Sequence, residues 1–196
     1  MCSLNRRIHC GLLMVLSALA GSAVPAQHAA HGDAAPGAPP ILGVLDFPTS
    51  GAPAAQEAFE RGVMLLHSFE YEDARSAFLE AQALDPSFAM AVWAEAMTLN
   101  HPLWDQQNRQ EALKVLAKLP PPGQRRTTAV EERFIEAMQL LYGEGSKRER
   151  DMAYRNAMAA MHDDFPDDLE VAVFYALSIL GSVYERDFRT YMLAAS

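Results

Sequence analysis

Cysteine is nearly missing from this sequence. Of 196 residues only Cys2 and Cys10 are cysteines, and both precede the main body of the chain. A body without cysteine has neither disulfide staples nor cysteine-built zinc sites, so its fold must rest on packing. Blocks of Lys and Arg with interleaved aromatics are also lacking: 16 basic residues face 25 acidic ones, for a formal net charge of −9. That balance argues against a nucleic-acid footprint, and no nucleic acid is expected among the partners. There is no G-x-S-x-G elbow, no phosphate-cradling glycine loop and no H-E-x-x-H pair, which leaves the common hydrolase, nucleotide and metalloprotease signatures unfilled. Alternating apolar and polar residues are almost absent after Ala54, so strands are not expected.

What is present begins with an address. Arg6 and Arg7 precede an apolar run from Gly11 to Ala23, and Val24-Pro25-Ala26 supplies a small-residue end. This order is that of a secretory signal peptide, residues 1–26, cut after Ala26 or, as the alternative, after Ala20. The apolar run of thirteen residues is too short for the ~20 that a spanning helix needs, so no stable membrane span is expected after cleavage. Asn5-Arg6-Arg7-Ile8-His9 fits the twin-arginine pattern poorly, and Cys10 precedes the apolar run, where a lipid-bearing cysteine would follow it. Removing residues 1–26, which hold Arg6, Arg7 and no acid, takes the net charge from −9 to −11. The product is expected to be periplasmic or secreted.

Residues 27–53 are rich in Ala, Pro and Gly and lack apolar periodicity. They read as a flexible leader, with a docking contact only at Ile41-Leu42 and Leu45-Phe47. His28 and His31 in that segment are too few to hold a metal firmly.

From Ala54 onward the apolar spacing is helical, as in Phe59, Val63, Leu66 and in Ala74, Phe78, Ala81. Helices are expected near 54–68, 70–84, 86–100, 106–118, 128–142, 147–163, 167–181 and 187–196. Thr128-x-x-Glu131 and Asp167-x-x-Glu170 have capping-box spacing. Pro120-Pro121-Pro122-Gly123 is a break, and Gly143, Gly145 and Gly181 read as helix ends. Lys147-Arg148-Glu149-Arg150-Asp151 reads as a solvated helix start of mixed sign. Asp163-Asp164 and Asp167-Asp168 lack the alternating ligands of a calcium loop and are accounted for by helix-start chemistry.

An internal repeat is the sharpest feature. Gly62 is followed by Ala74, Phe78, Ala81 and Pro86 at offsets of 12, 16, 19 and 24 residues, and Tyr154, Met158, Met161 and Pro166 each stand 80 residues after the last four. These residues resemble the tetratricopeptide repeat (TPR), a 34-residue helix-turn-helix unit with small residues where its helices cross. Five of eight signature positions match in the first copy; Ala58 stands where a tryptophan is usual, Leu65 replaces an aromatic, and Tyr154 replaces a small residue in the second copy. Two repeats span 68 residues, so about twelve extra residues separate the copies. Leu-His-Ser-Phe-Glu-Tyr at 66–71 and Asn-His-Pro-Leu-Trp at 100–104 are similar to a group of exported bacterial TPR proteins, usually much longer than this chain. The resemblance implies an all-α fold for residues 54–196: irregular TPR-like helical hairpins stacked as a short right-handed α-solenoid. It also implies a non-enzymatic interaction scaffold that uses no cofactor.

In that family the first helix of each unit lines a concave face. The resemblance places Phe59, Val63, Leu66 and His67 there, followed by Met90, Trp93, Met97, Asn100 and His101. Such a stripe suits a protein or peptide partner, an apolar helix for example; large residues at helical spacing are more often the mark of a core, filled by the chain's own helix or a neighbouring repeat. Some TPR domains bind a C-terminal carboxylate through Lys and Asn on this face, whereas Phe59, Val63, Trp93 and Met97 hold the corresponding places here. His67 and His101 are 34 residues apart, one repeat at the same register. They are the best candidates for an alternative, metal-dependent enzyme, although no third ligand is visible. A purely structural repeat module is the other alternative. The last helix begins near Asp187 and reaches Ser196 without a glycine stop or a partner helix for Phe188 and Met192. Fraying or self-association is expected there, as for the N-terminal portion of a longer scaffold.

Overall fold

Helices form along the body where the 3.6-residue spacing predicts them. The computed structural model describes residues 42–183 and 188–195; the expected signal peptide and the leader as far as residue 41 lie outside them. The described part is mostly helical: α1 (Pro53–His67), α2 (Tyr71–Leu84), α3 (Ala89–Met97), α4 (Arg109–Leu116), α5 (Ala129–Leu141), α6 (Lys147–Asp164), α7 (Leu169–Ser182) and α8 (Phe188–Ala194). None of these is long and apolar enough to cross a membrane.

Helix α1 starts with Pro53 at its first turn and ends at Ser68, after which Phe69 takes a left-handed φ of 63° and the Glu70 N–H returns to the Leu65 carbonyl at 3.0 Å. That three-residue turn folds α2 back along α1. The two meet at Gly62, where any Cβ would run into the Phe78 ring. Ala74, Phe78 and Ala81 are fully buried in the same contact. The second set of spaced residues behaves alike: Tyr154, Met158 and Met161 of α6 are buried, while Pro86 and Pro166 stand exposed in the turns before α3 and α7.

Helix α3 is the centre, with all nine residues buried. Around it α1, α5 and α7 bring together an aromatic core: the Phe134 ring lies 5.1 Å from Trp93, 5.7 Å from Phe174 and 5.7 Å from Phe47. Capping boxes form at Thr128/Glu131 and at Ser146/Glu149. At α7 the expected box shifts by one residue: Asp168 caps, accepting from the Val171 N–H at 3.0 Å. Glu170 is thereby free to turn elsewhere.

Three further expectations are corrected. The helices expected over 86–100 and 106–118 are shorter, α3 stopping at Met97 and α4 starting at Arg109, and strands not expected there fill the gap: Asn100–His101 (β1) pairs antiparallel with Gln106–Gln107 (β2) around a 3-10 turn, Pro102–Trp104, closed by Asp105 at φ 54°. Gly181 does not end α7 but lies within it, admitting Pro102, whose Cβ would stand 2.7 Å from a Cβ there. The 147–151 stretch is not wholly solvated. Arg150 and Asp151 are buried, with Arg150 donating to the Leu141 and Gly145 carbonyls and to Gln107 Oε1.

The described end of the leader is also structured. Phe47 is 4% exposed. The Ser50 N–H donates to Glu131 Oε1 at 2.8 Å and the Ala52 N–H to Asp85 Oδ2 at 2.9 Å. Two buried carboxylates thus satisfy backbone amides that a flexible segment would leave to water, and Phe47 contributes its ring area. Residues 42–52 form a strap across α1 and α5, so the ordered body starts before Ala54. At the other end, Thr190 of α8 is buried and Met192 is 57% exposed; the Phe188 side chain lies outside the described ones.

Candidate functional site

The residues singled out from the sequence part into three groups. Phe59, Val63, Met90 and Trp93 have no exposed surface. They point into the aromatic core because α5 and α7 close over the row that a bare two-repeat stack would leave open. The stripe is therefore core at these four positions, and no ligand reaches them without displacing helices.

Leu66, Met97 and Asn100 come together with Tyr71, Tyr154 and Phe174 around a cavity of about 40 Å³. Its roof is aromatic. His101 stacks on Tyr71 at 3.8 Å, with Nε2 3.1 Å from the Thr98 carbonyl oxygen, and Phe69 meets Trp104 edge-on at 5.6 Å. The Tyr71 and Tyr154 hydroxyls are buried without a hydrogen-bond partner. Burial pushes the Tyr71 pKa up to about 12 and raises Tyr154 further, so both stay neutral donors near pH 7. Lys147 closes one edge, 2.7 Å from both Asp105 and Asp151. Burial works to lower the Lys147 pKa, but the two carboxylates outweigh it and hold it above the usual lysine value. The space is on the scale of two or three water molecules, which suits two wet hydroxyls better than an organic ligand.

His67 faces a different site. It lies at the C-terminus of α1, with Nε2 2.8 Å from Glu170 Oε2 and its ring 5.4 Å from Phe174. His67 and His101 are therefore held by different partners. Among the described residues no group of three or more His, Cys, Asp or Glu is placed to hold a metal ion.

The His67–Glu170 pair lines a groove of about 1040 Å³. The strap from Leu42 to Thr49 forms one side, Met64 and His67 of α1 the floor, and the first turns of α5 and α7 the other side. Its apolar surface is open: Leu169 is 73% exposed and Val44 fully so. Sequence reasoning missed this groove because two of its walls were assigned elsewhere, the strap to a flexible leader and Glu170 to a cap. The Leu42, Leu45 and Phe47 spacing was the available signal. Compared with family models, with curated proteins and with solved structures, the chain finds no match.

Proposed function

We propose that this chain is a non-enzymatic interaction module built on TPR-like hairpins, exported from the cytoplasm, that takes a peptide segment in the groove between the strap, α1, α5 and α7. The observation that carries the reading is the groove itself: about 1040 Å³, beyond most small-molecule sites at ~300–1,000 Å³ and suited to several residues of extended chain. The hairpin of α1 and α2, crossing at Gly62 against Phe78, supports the repeat reading. The order of basic, apolar and small segments in residues 1–26 supports export. Binding moves from the stripe first expected to the groove beside it, since Trp93 and Met90 are enclosed.

A peptide library panned on the chain from Gln27 onward tests this. Enriched peptides should bind the native chain and lose at least about tenfold in affinity on Leu169→Gln, which removes apolar contact without adding charge. That change keeps the fold, because Leu169 is 73% exposed and glutamine is a good helix former. Failure to enrich any peptide, or peptides indifferent to Leu169→Gln at unchanged helicity, would overturn the proposal.

A further inference from the structure

The groove carries one sign of charge. Asp46, Glu131, Asp167, Asp168 and Glu170 line it, and neither Lys nor Arg is among its lining residues. Basic side chains outside the lining are paired with acids that do not line the groove either, as in Arg133 with Asp164, Lys118 with Glu95 and Arg126 with Asp85. Within the groove, Glu170 faces His67, Glu131 accepts from Ser50, and Asp168 caps α7. Asp46 and Asp167 are exposed and make no ion pair among the described residues.

Helix ends do not cancel this charge. The N-termini of α5 and α7 open on the groove, each equivalent to about half a positive charge, and the C-terminus of α1 brings about half a negative one. With His67 protonated as well, five carboxylates still leave roughly three negative charges or more. Between the acids the walls are apolar, with Met64, Leu169 and Val173.

We infer that the groove selects a cationic peptide segment, presenting Lys or Arg to Asp46, Asp167 and Asp168 and seating an apolar side chain against Met64, Leu169 and Val173. The inference rests on the peptide-binding reading above and adds the class of partner. Lys and Arg suit such a surface because their aliphatic stems lie along apolar walls while their heads reach the carboxylates. Acidic segments and free C-terminal carboxylates are repelled.

Three fluorescein-labelled short peptides of one leucine pattern, filled in with Lys, Gln or Glu, are titrated by anisotropy with the chain from Gln27 onward. The Lys peptide should bind about tenfold or more tighter than the Gln peptide and the Glu peptide weakest, with the gap shrinking between about 50 and about 300 mM NaCl. Asp46→Asn with Asp167→Asn should weaken the Lys peptide about threefold to tenfold and leave the Gln peptide unchanged. Equal affinity for the Lys and Glu peptides would overturn the charge selection and leave peptide binding standing. Spermidine competing as well as the unlabelled Lys peptide would overturn the peptide part of the inference. No binding by these or by panned peptides would overturn both readings.

Discussion

Trp93 is fully buried among Phe134 and Phe174, and its Nε1–H has no acceptor. Two opposed effects follow. Trp93→Ala removes the largest ring from the core and should cost about 3–5 kcal/mol. Trp93→Phe leaves a smaller void and removes an unpaired buried donor, a group that costs about 1–3 kcal/mol by itself, so it should be much milder. Urea denaturation of both variants checks the pair, and equal losses would mean that the N–H has a partner in solution. At Gly62 the cost comes from overfilling: Gly62→Ala places a Cβ in the Phe78 ring, and the overpacking should cost about 1–3 kcal/mol despite the better helix propensity of alanine. Both residues were legible in part. Gly62 stood out by its spacing to Ala74 and Phe78, whereas Trp93 had the same periodicity whether it faced a partner or a core.

At the scale of elements, the two capping boxes look alike in sequence and differ in consequence. Glu149 is exposed and serves only the start of α6. Glu131 is 1% exposed and accepts from the Ser50 N–H as well as the Thr128 N–H. Glu149→Ala should therefore cost little, since it removes one exposed partner of the Ser146 cap. Glu131→Ala should cost more and free the strap, because it strands the partly buried Ser50 amide on which the strap is held. Hydrogen exchange of Ser50 to Ala52 measures this directly: protection should fall in Glu131→Ala and persist in Glu149→Ala. The helices were legible because each carries its own periodicity and end signals. The strap and the hairpin at 100–107 were not, since their order comes from Glu131, Asp85, Arg150 and Gly181, all distant in sequence.

The whole molecule is tied by buried carboxylates, and its acid stability should reflect them. Hydrogen bonding, foremost from Ser87, holds the Asp85 pKa below its ordinary value of 3.8. Burial acts to raise Glu95, but Lys118 and Gln82 outweigh it and hold it below 4.5. A lowered pKa in the folded state means that the unfolded chain binds protons first as pH falls. The contribution is complete above the ordinary carboxylate values and is lost progressively as pH drops from them through the lowered folded-state values. Urea midpoints should fall below about pH 5, with a shallower fall in Asp85→Asn and Glu95→Gln; an unchanged slope in both would refute the assignment. The sequence by itself determined the all-α class, the helix boundaries to within a few residues and an acidic, disulfide-free body, because periodicity, caps and composition are local. Only the tertiary structure decided that the Phe59 to Trp93 stripe is core, that His67 meets Glu170, and that residues 42–49 wall a groove. Those depend on which face of α5 and α7 arrives over α1 and α3, a choice made by packing between segments up to about a hundred residues apart.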